Sequence, residues 1–82
     1  MKQDQILAEV SEIIRDVLDQ PNLQISAATT ARDVEGWDSF NHINIVVAVE
    51  SRFGIKINTA EIEELKNVGE FVELVKRKLS AR

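Results

Sequence analysis

Asp38-Ser39-Phe40-Asn41-His42-Ile43-Asn44-Ile45-Val46-Val47-Ala48-Val49-Glu50-Ser51-Arg52-Phe53-Gly54 is the stretch that decides the fold. Two readings compete in it. Ile43, Ile45, Val46, Val47 and Val49 are β-branched and favour a strand. The length, and an apolar stripe of Phe40, Ile43, Val46 or Val47, and Phe53, favour a helix. Polar and apolar residues stop alternating past Val46, so a half-buried strand loses its main support. Asp38 or Ser39 supplies an N-cap oxygen, and Gly54 suits a left-handed C-cap. The spacing predicts a helix from Ser39 to Phe53.

On the N-terminal side, residues 20–37 read as a long loop. Gln20-Pro21-Asn22 breaks the chain's first periodic segment, and Ser26 to Thr30 is small and polar. Leu23, Ile25 and Val34 are the expected anchors. A loop this long is usually functional, or packed onto the core by its own apolar residues. Before it, Ile6, Leu7, Val10, Ile13, Ile14, Val17 and Leu18 recur at spacings of three and four. They predict an amphipathic helix from about Asp4 to Asp19, with Asp4 as N-cap and Pro21 past its end.

On the C-terminal side, Ile55-Lys56-Ile57 reads as a short extended connector. Asn58 or Thr59 caps a short helix running to about Leu65, with Ala60, Ile62 and Leu65 on it. A strict capping box from Thr59 would need an acid at Ile62. A last helix runs from about Val68 to Leu79 on the stripe Val68, Phe71, Val72, Val75 and Leu79. Lys76-Arg77-Lys78 then sits favourably at a helix C-terminus. The expected fold is all-α, a small four-helix bundle with three longer helices, one short one, and a long loop after the first. A single domain spans residues 1–82.

Composition narrows the function. The 82 residues are 44% hydrophobic but only 5% aromatic, enough for one small aliphatic core. The formal net charge is −4, which argues against nucleic acid as a partner, because phosphate contacts need clustered Lys and Arg. There is no cysteine, so disulfides and Cys-based metal sites are excluded and no metal ligand set is assigned. That fits a reducing, cytoplasmic setting. No apolar run approaches a membrane span, and the N-terminal residues lead into an amphipathic segment rather than a signal peptide. A monomer is expected.

Ser39 is the leading candidate for chemistry. A serine at a loop-to-helix junction exposes its hydroxyl beside unpaired backbone N–H groups, which suits a phosphate-linked group. The plainer reading is an N-cap, and the two are compatible. Gly36 supplies a turn, and Trp37 reads as a loop anchor before it reads as a recognition residue. His42, three residues after Ser39, invites comparison with a nucleophilic pair. No third group and no Gly-x-Ser-x-Gly elbow accompanies it, so a solvated histidine is expected instead. Val46, Val47 and Phe71 read as core before they read as pocket lining.

The arrangement resembles the acyl carrier protein family. Asp38-Ser39-Phe40 is similar to that family's Asp-Ser-Leu attachment site, with Phe40 in place of Leu. Ala48-Val49-Glu50-Ser51-Arg52-Phe53 is similar to its Ala-Leu-Glu-x-x-Phe block, and an Ile-x-Ile connector follows. Val68-Gly69-Glu70-Phe71-Val72 looks like the usual start of its last helix. The resemblance covers nearly the whole chain. It implies that Ser39 accepts 4′-phosphopantetheine from coenzyme A through a phosphopantetheinyl transferase. Asp38 and Gly36 would support that site, Asp38 by capping or by helping the transferase hold its metal. The carrier would then present acyl or aminoacyl thioesters to a loading ligase or synthase, and would catalyse nothing itself.

Departures from the family refine this. Members serving bulk fatty-acid synthesis carry several acids along the helix after the serine. Here Asn41, Asn44, Ser51 and Arg52 stand at those positions, and Glu50 is the only acid from Phe40 to Phe53. A dedicated carrier for a specialised lipid, polyketide or related pathway is therefore expected. Phe40 keeps a D-alanyl or peptidyl-type carrier open. Thr30 stands where a bulky apolar loop anchor is common. Docking candidates are Trp37, Phe40, Asn41, His42 and Asn44, with Glu61 and Glu64 on the short helix. A reading of another class is a cofactor-free helical interaction module, in which Ser39 is only a cap.

Overall fold

The computed structural model describes residues 2–81; Met1, which opens the stretch read above as no signal peptide, and Arg82 lie outside them. Among the described residues the chain is all-α. Helix α1 spans Gln3–Leu18, α2 Ser39–Phe53, α3 Thr59–Glu63 and α4 Val68–Ser80, and a single 3-10 turn, Ala31–Asp33, interrupts the long loop. The long α1 packs against both α2 and α4.

The helix ends follow local chemistry. Asp4 does not cap α1: the helix already begins at Gln3, and the Gln5 side chain accepts the Lys2 N–H at 3.1 Å. A glutamine three residues on reaches back as well as a carboxylate does, and Asp4 remains as first-turn negative charge. At the other end Asp19 closes α1 in the left-handed region (φ 54°). Asn58, not Thr59, caps α3. It accepts the Glu61 N–H at 2.9 Å, and Glu61 accepts the Asn58 N–H at 3.0 Å, which is the full reciprocal box. That helix ends at Glu63 rather than Leu65. Asn67 caps α4 through the Glu70 N–H at 2.8 Å.

The core is aliphatic with two phenylalanines. Ile6, Val10, Ile13 and Ile14 of α1 meet Ile45, Val46, Val49 and Phe53 of α2 and Val68, Phe71, Val72, Leu74 and Val75 of α4. Ile55 and Ile57 of the connector are also buried there. The stripe of α2 differs from expectation. Val46 and Phe53 of the expected stripe are buried, together with Ile45 and Val49, but Phe40, Ile43 and Val47 face solvent. Apolar residues lie on both sides of this helix, so spacing alone could not choose the side that meets α1.

The long loop is bonded at both ends of its path. Arg15 Nε donates to the Leu23 carbonyl at 2.8 Å, and Gln20 Nε2 to the Glu35 carbonyl at 2.6 Å. Val34 is buried, and Leu23 and Ile25 pack against the core. Two N-terminal amides of α4 donate to the loop, Val68 to the Thr29 carbonyl at 2.9 Å and Gly69 to the Ala27 carbonyl at 2.8 Å. A Cβ on residue 69 would lie 3.0 Å from that Ala27 oxygen, so the close approach favours glycine. The loop therefore uses amides that α4 itself cannot satisfy.

Candidate functional site

The loop delivers residues 36–38 to the start of α2. Gly36 turns with φ +86°, a conformation that a side chain would strain. Asp38 is extended and is the N-cap: its Oδ1 accepts the Asn41 N–H at 2.8 Å, and its carbonyl accepts the His42 N–H at 2.9 Å. Asn41 Nδ2 reaches back to the Gly36 carbonyl at 2.8 Å, and Asn44 Nδ2 lies 3.4 Å from Asn41 Oδ1. Backbone and side chain together hold the turn that precedes Ser39.

Ser39 is the first residue of α2 and is exposed. Its N–H and that of Phe40 belong to the first turn, where a helix offers no acceptor of its own. With the Asn41 N–H committed to Asp38, Ser39 sits at the positive end of the helix. An exposed hydroxyl at the start of a 15-residue helix fits a phosphodiester linkage sterically and electrostatically.

His42 departs from the solvated residue expected. It is half-buried. The Trp37 indole Nε1 donates to His42 Nδ1 at 3.1 Å, and the two rings stack with centroids 6.0 Å apart and planes at 29°. On its other side His42 meets Phe71, with centroids 6.5 Å apart. Accepting at Nδ1 makes the ring neutral with its proton on Nε2. Burial lowers its pKa below the usual imidazole value, which keeps it neutral. Trp37 is thus the loop anchor expected, and the imidazole is its seat rather than a base for Ser39. Beneath the pair lies a cavity of about 40 Å³, bounded also by Thr29, Ala31, Leu65 and Phe71. Of the three residues considered for a pocket, only Phe71 lines it. Val46 is core and Val47 is exposed.

The remaining candidates divide. Phe40 is 73% exposed and Asn44 is exposed, with Asn41 half-buried between them. Glu61 is half-buried and tied to Lys78 Nζ of α4 at 2.9 Å, an ion pair that holds its carboxyl below the usual value. Glu64 is exposed. Thr30 donates its N–H to Asp33 Oδ2 at 3.1 Å, so a polar cap of the 3-10 turn replaces an apolar anchor. Two features were not foreseen. The Trp37–His42 bond joins residues five apart across a helix start, a spacing that announces nothing. The exposure of Ile43 and Val47 is the second: both were read into the apolar stripe of α2, whereas Phe40, also on that stripe, was a docking candidate as well.

Comparison with known proteins agrees with this geometry. A family model described as "Phosphopantetheine attachment site" matches residues 8–75. The chain belongs to the acyl carrier protein family. It is 32% identical to the acyl carrier protein of Thermosynechococcus vestitus over 82 residues, covering 99% of this chain and 100% of that one. It is 30% identical to that of Thermotoga maritima over 76 residues, covering 93% and 94%. The solution structure of a holo acyl carrier protein from Geobacter metallireducens superposes with TM-score 0.85 at 36% identity, over 92% of this chain and 86% of that one. The prosthetic group that accompanies this family match is 4′-phosphopantetheine.

Proposed function

We propose that Ser39 is the attachment point of 4′-phosphopantetheine and that the protein carries acyl thioesters between partner enzymes. The observation that supports this most is the exposed Ser39 hydroxyl at the first residue of α2, inside the family match. A phosphopantetheinyl transferase brings coenzyme A to this hydroxyl. The Ser39 Oγ–phosphorus bond forms, the bond to the adenosine bisphosphate breaks, and the hydroxyl proton leaves. The bound group supplies a terminal thiol, which holds the cargo as a thioester.

The chain's own residues contribute position. Asp38, Asn41 and Gly36 fix the turn, Trp37 on His42 anchors the loop, and the α2 N-terminus favours the anionic linkage. No further catalytic role falls to them, so the protein acts as a carrier and not as an enzyme. It works as a cytoplasmic monomer visited by a transferase and then by loading and consuming enzymes. The near-absence of acids on α2 supports a dedicated pathway with its own partners over bulk fatty-acid synthesis.

Intact mass after incubation with coenzyme A, magnesium and a broad-specificity phosphopantetheinyl transferase tests the assignment. Wild type gains one phosphopantetheine, and Ser39→Ala gains none. A folded, unmodified wild type that gains nothing leaves the cofactor-free interaction module as the better reading.

A further inference from the structure

Trp37 is the only tryptophan of the chain and His42 its only histidine, and they meet at the start of α2. The indole Nε1 donates to His42 Nδ1 at 3.1 Å. An indole N–H only donates, and Nδ1 accepts only while the imidazole is neutral. Protonation therefore sets two donors face to face. The indole meets the imidazole through its N–H edge, the positive rim of the ring, which repels a cation. The surroundings offer the charge no compensation. On α2 itself the Asp38 carboxylate, one turn earlier, accepts the Asn41 N–H, and the helix N-terminus is positive. In the loop, Asp33 accepts the Thr30 N–H and Glu35 is exposed. On α4, Phe71 is uncharged and Glu70 accepts the Lys66 N–H. In the connector before α4, Glu64 is exposed, and Lys66 is the ionised side chain lining the cavity of about 40 Å³ beneath the pair. Burial of His42 acts in the same direction. What the bond holds is the segment that leads to Ser39. Glu35, Gly36 and Asp38 are exposed, so the half-buried indole is the side chain by which this segment grips the core.

We propose that the Trp37–His42 hydrogen bond is a proton-operated latch on the segment that presents Ser39. While His42 is neutral, the indole is seated and residues 36–38 are held against the fold. Once Nδ1 takes a proton from solvent, the indole leaves its seat, the cavity beneath it opens, and the segment loosens. The release is local. Ile45, Val46 and Val49 keep α2 in the core without the indole, and the Asp38 cap and the Asn41–Gly36 bond do not titrate with His42. Ser39 therefore stays on a folded helix but loses part of its fixed setting, which slows its modification. That consequence for Ser39 rests on the carrier reading; the latch itself does not.

As the only indole, Trp37 reports its own position. Its emission and its quenching by acrylamide are read from about pH 8 to about pH 5, with circular dichroism on the same samples and the His42 midpoint from proton NMR. Wild type titrates below the ordinary 6.5. Through that midpoint the emission shifts to the red and quenching rises about twofold or more, while the helical signal holds. His42→Gln offers the indole an oxygen acceptor that does not titrate, and shows no transition. Transfer onto Ser39 by a broad-specificity phosphopantetheinyl transferase supplies the second readout. The ratio of wild-type to His42→Gln kcat/KM, in which the transferase's own pH dependence cancels, falls about threefold through the same midpoint. A midpoint at or above 6.5, a Trp37 signal that does not follow it, a helical signal lost with it, or a flat transfer ratio overturns the proposal and leaves the carrier reading intact. A folded wild type that is never modified overturns the carrier reading and the consequence for Ser39, and the Trp37 titration still decides the latch.

Discussion

The two faces of α2 are built from the same residue types and meet opposite fates. Ile45, Val46 and Val49 are nearly or fully buried against α1 and α4, whereas Ile43 and Val47, one or two positions away, are more than half exposed. Composition does not distinguish the faces. What does is the company each keeps: one side joins the buried core with the stripes of two amphipathic helices, the other begins beside Ser39 and faces solvent. An apolar residue on this helix is therefore a core residue or a surface residue according to its phase, and mutation should separate the two sharply.

The largest effect is expected on the buried face. Ile45 is fully buried, so Ile45→Ala removes its packing and leaves a cavity, at a cost of about 2–5 kcal/mol. That is a large share of the roughly 4–12 kcal/mol total expected for a chain of this size. Urea unfolding followed by far-ultraviolet circular dichroism measures it. A loss under about 1 kcal/mol would mean that the α1–α2 contact is looser than described here.

Next comes the cap that orients both faces. Asp38→Ala removes the acceptor of the Asn41 N–H and is expected to cost about 1 kcal/mol. Asp38→Asn, which keeps an oxygen, should recover most of it. If Asn fails where Asp succeeds, the carboxylate charge rather than the hydrogen bond is what the helix start requires.

How far the sequence revealed this structure depends on how one-sided each helix is. The stripes of α1 and α4 lie on single faces, and most of their buried residues were readable from spacing, although Ser11 and Leu74, both buried, were not among those expected. The apolar residues of α2 lie on two faces, so the spacing was compatible with either phase. The expected stripe of Phe40, Ile43, Val46 or Val47, and Phe53 mixed the two faces, and of it only Val46 and Phe53 are buried. Gly36, Asp38 and Ser39 were legible because turn, cap and exposed hydroxyl are local properties. The seat of Trp37 was not. The imidazole beneath it gains its role from the loop folding back and from Phe71 of α4, contacts set by tertiary structure.

That seat makes a smaller, pH-dependent prediction. Burial depresses the His42 pKa from its ordinary 6.5 in the folded state. Between the two values the unfolded chain binds more protons, so stability is full above about 6.5 and declines as pH falls through the folded value. Protonation at Nδ1 also removes the acceptor of the Trp37 indole. His42→Gln, which does not titrate, should lack this part of the slope. The stability gap between wild type and variant is expected to narrow on mild acidification, read by urea unfolding at neutral pH and about one unit below the imidazole midpoint. A gap independent of pH would show that the proton is no worse accommodated in the fold than in water.

The smallest effect is the most diagnostic for the outer face. Val47→Ala removes two methyl groups from a side chain that is 56% exposed. Little packing is lost, and alanine is the better helix former by a few tenths of a kcal/mol. The two contributions oppose each other, so stability should stay within about 0.5 kcal/mol of wild type, with a small gain as readily as a small loss. The same substitution at Val49, which is fully buried, should cost several times as much. Paired thermal melts of Val47→Ala and Val49→Ala therefore measure the phase of the helix directly. Equal losses would mean that Val47 is also packed against something in the folded chain, and the outer stripe would then be part of the core rather than a solvent-exposed face.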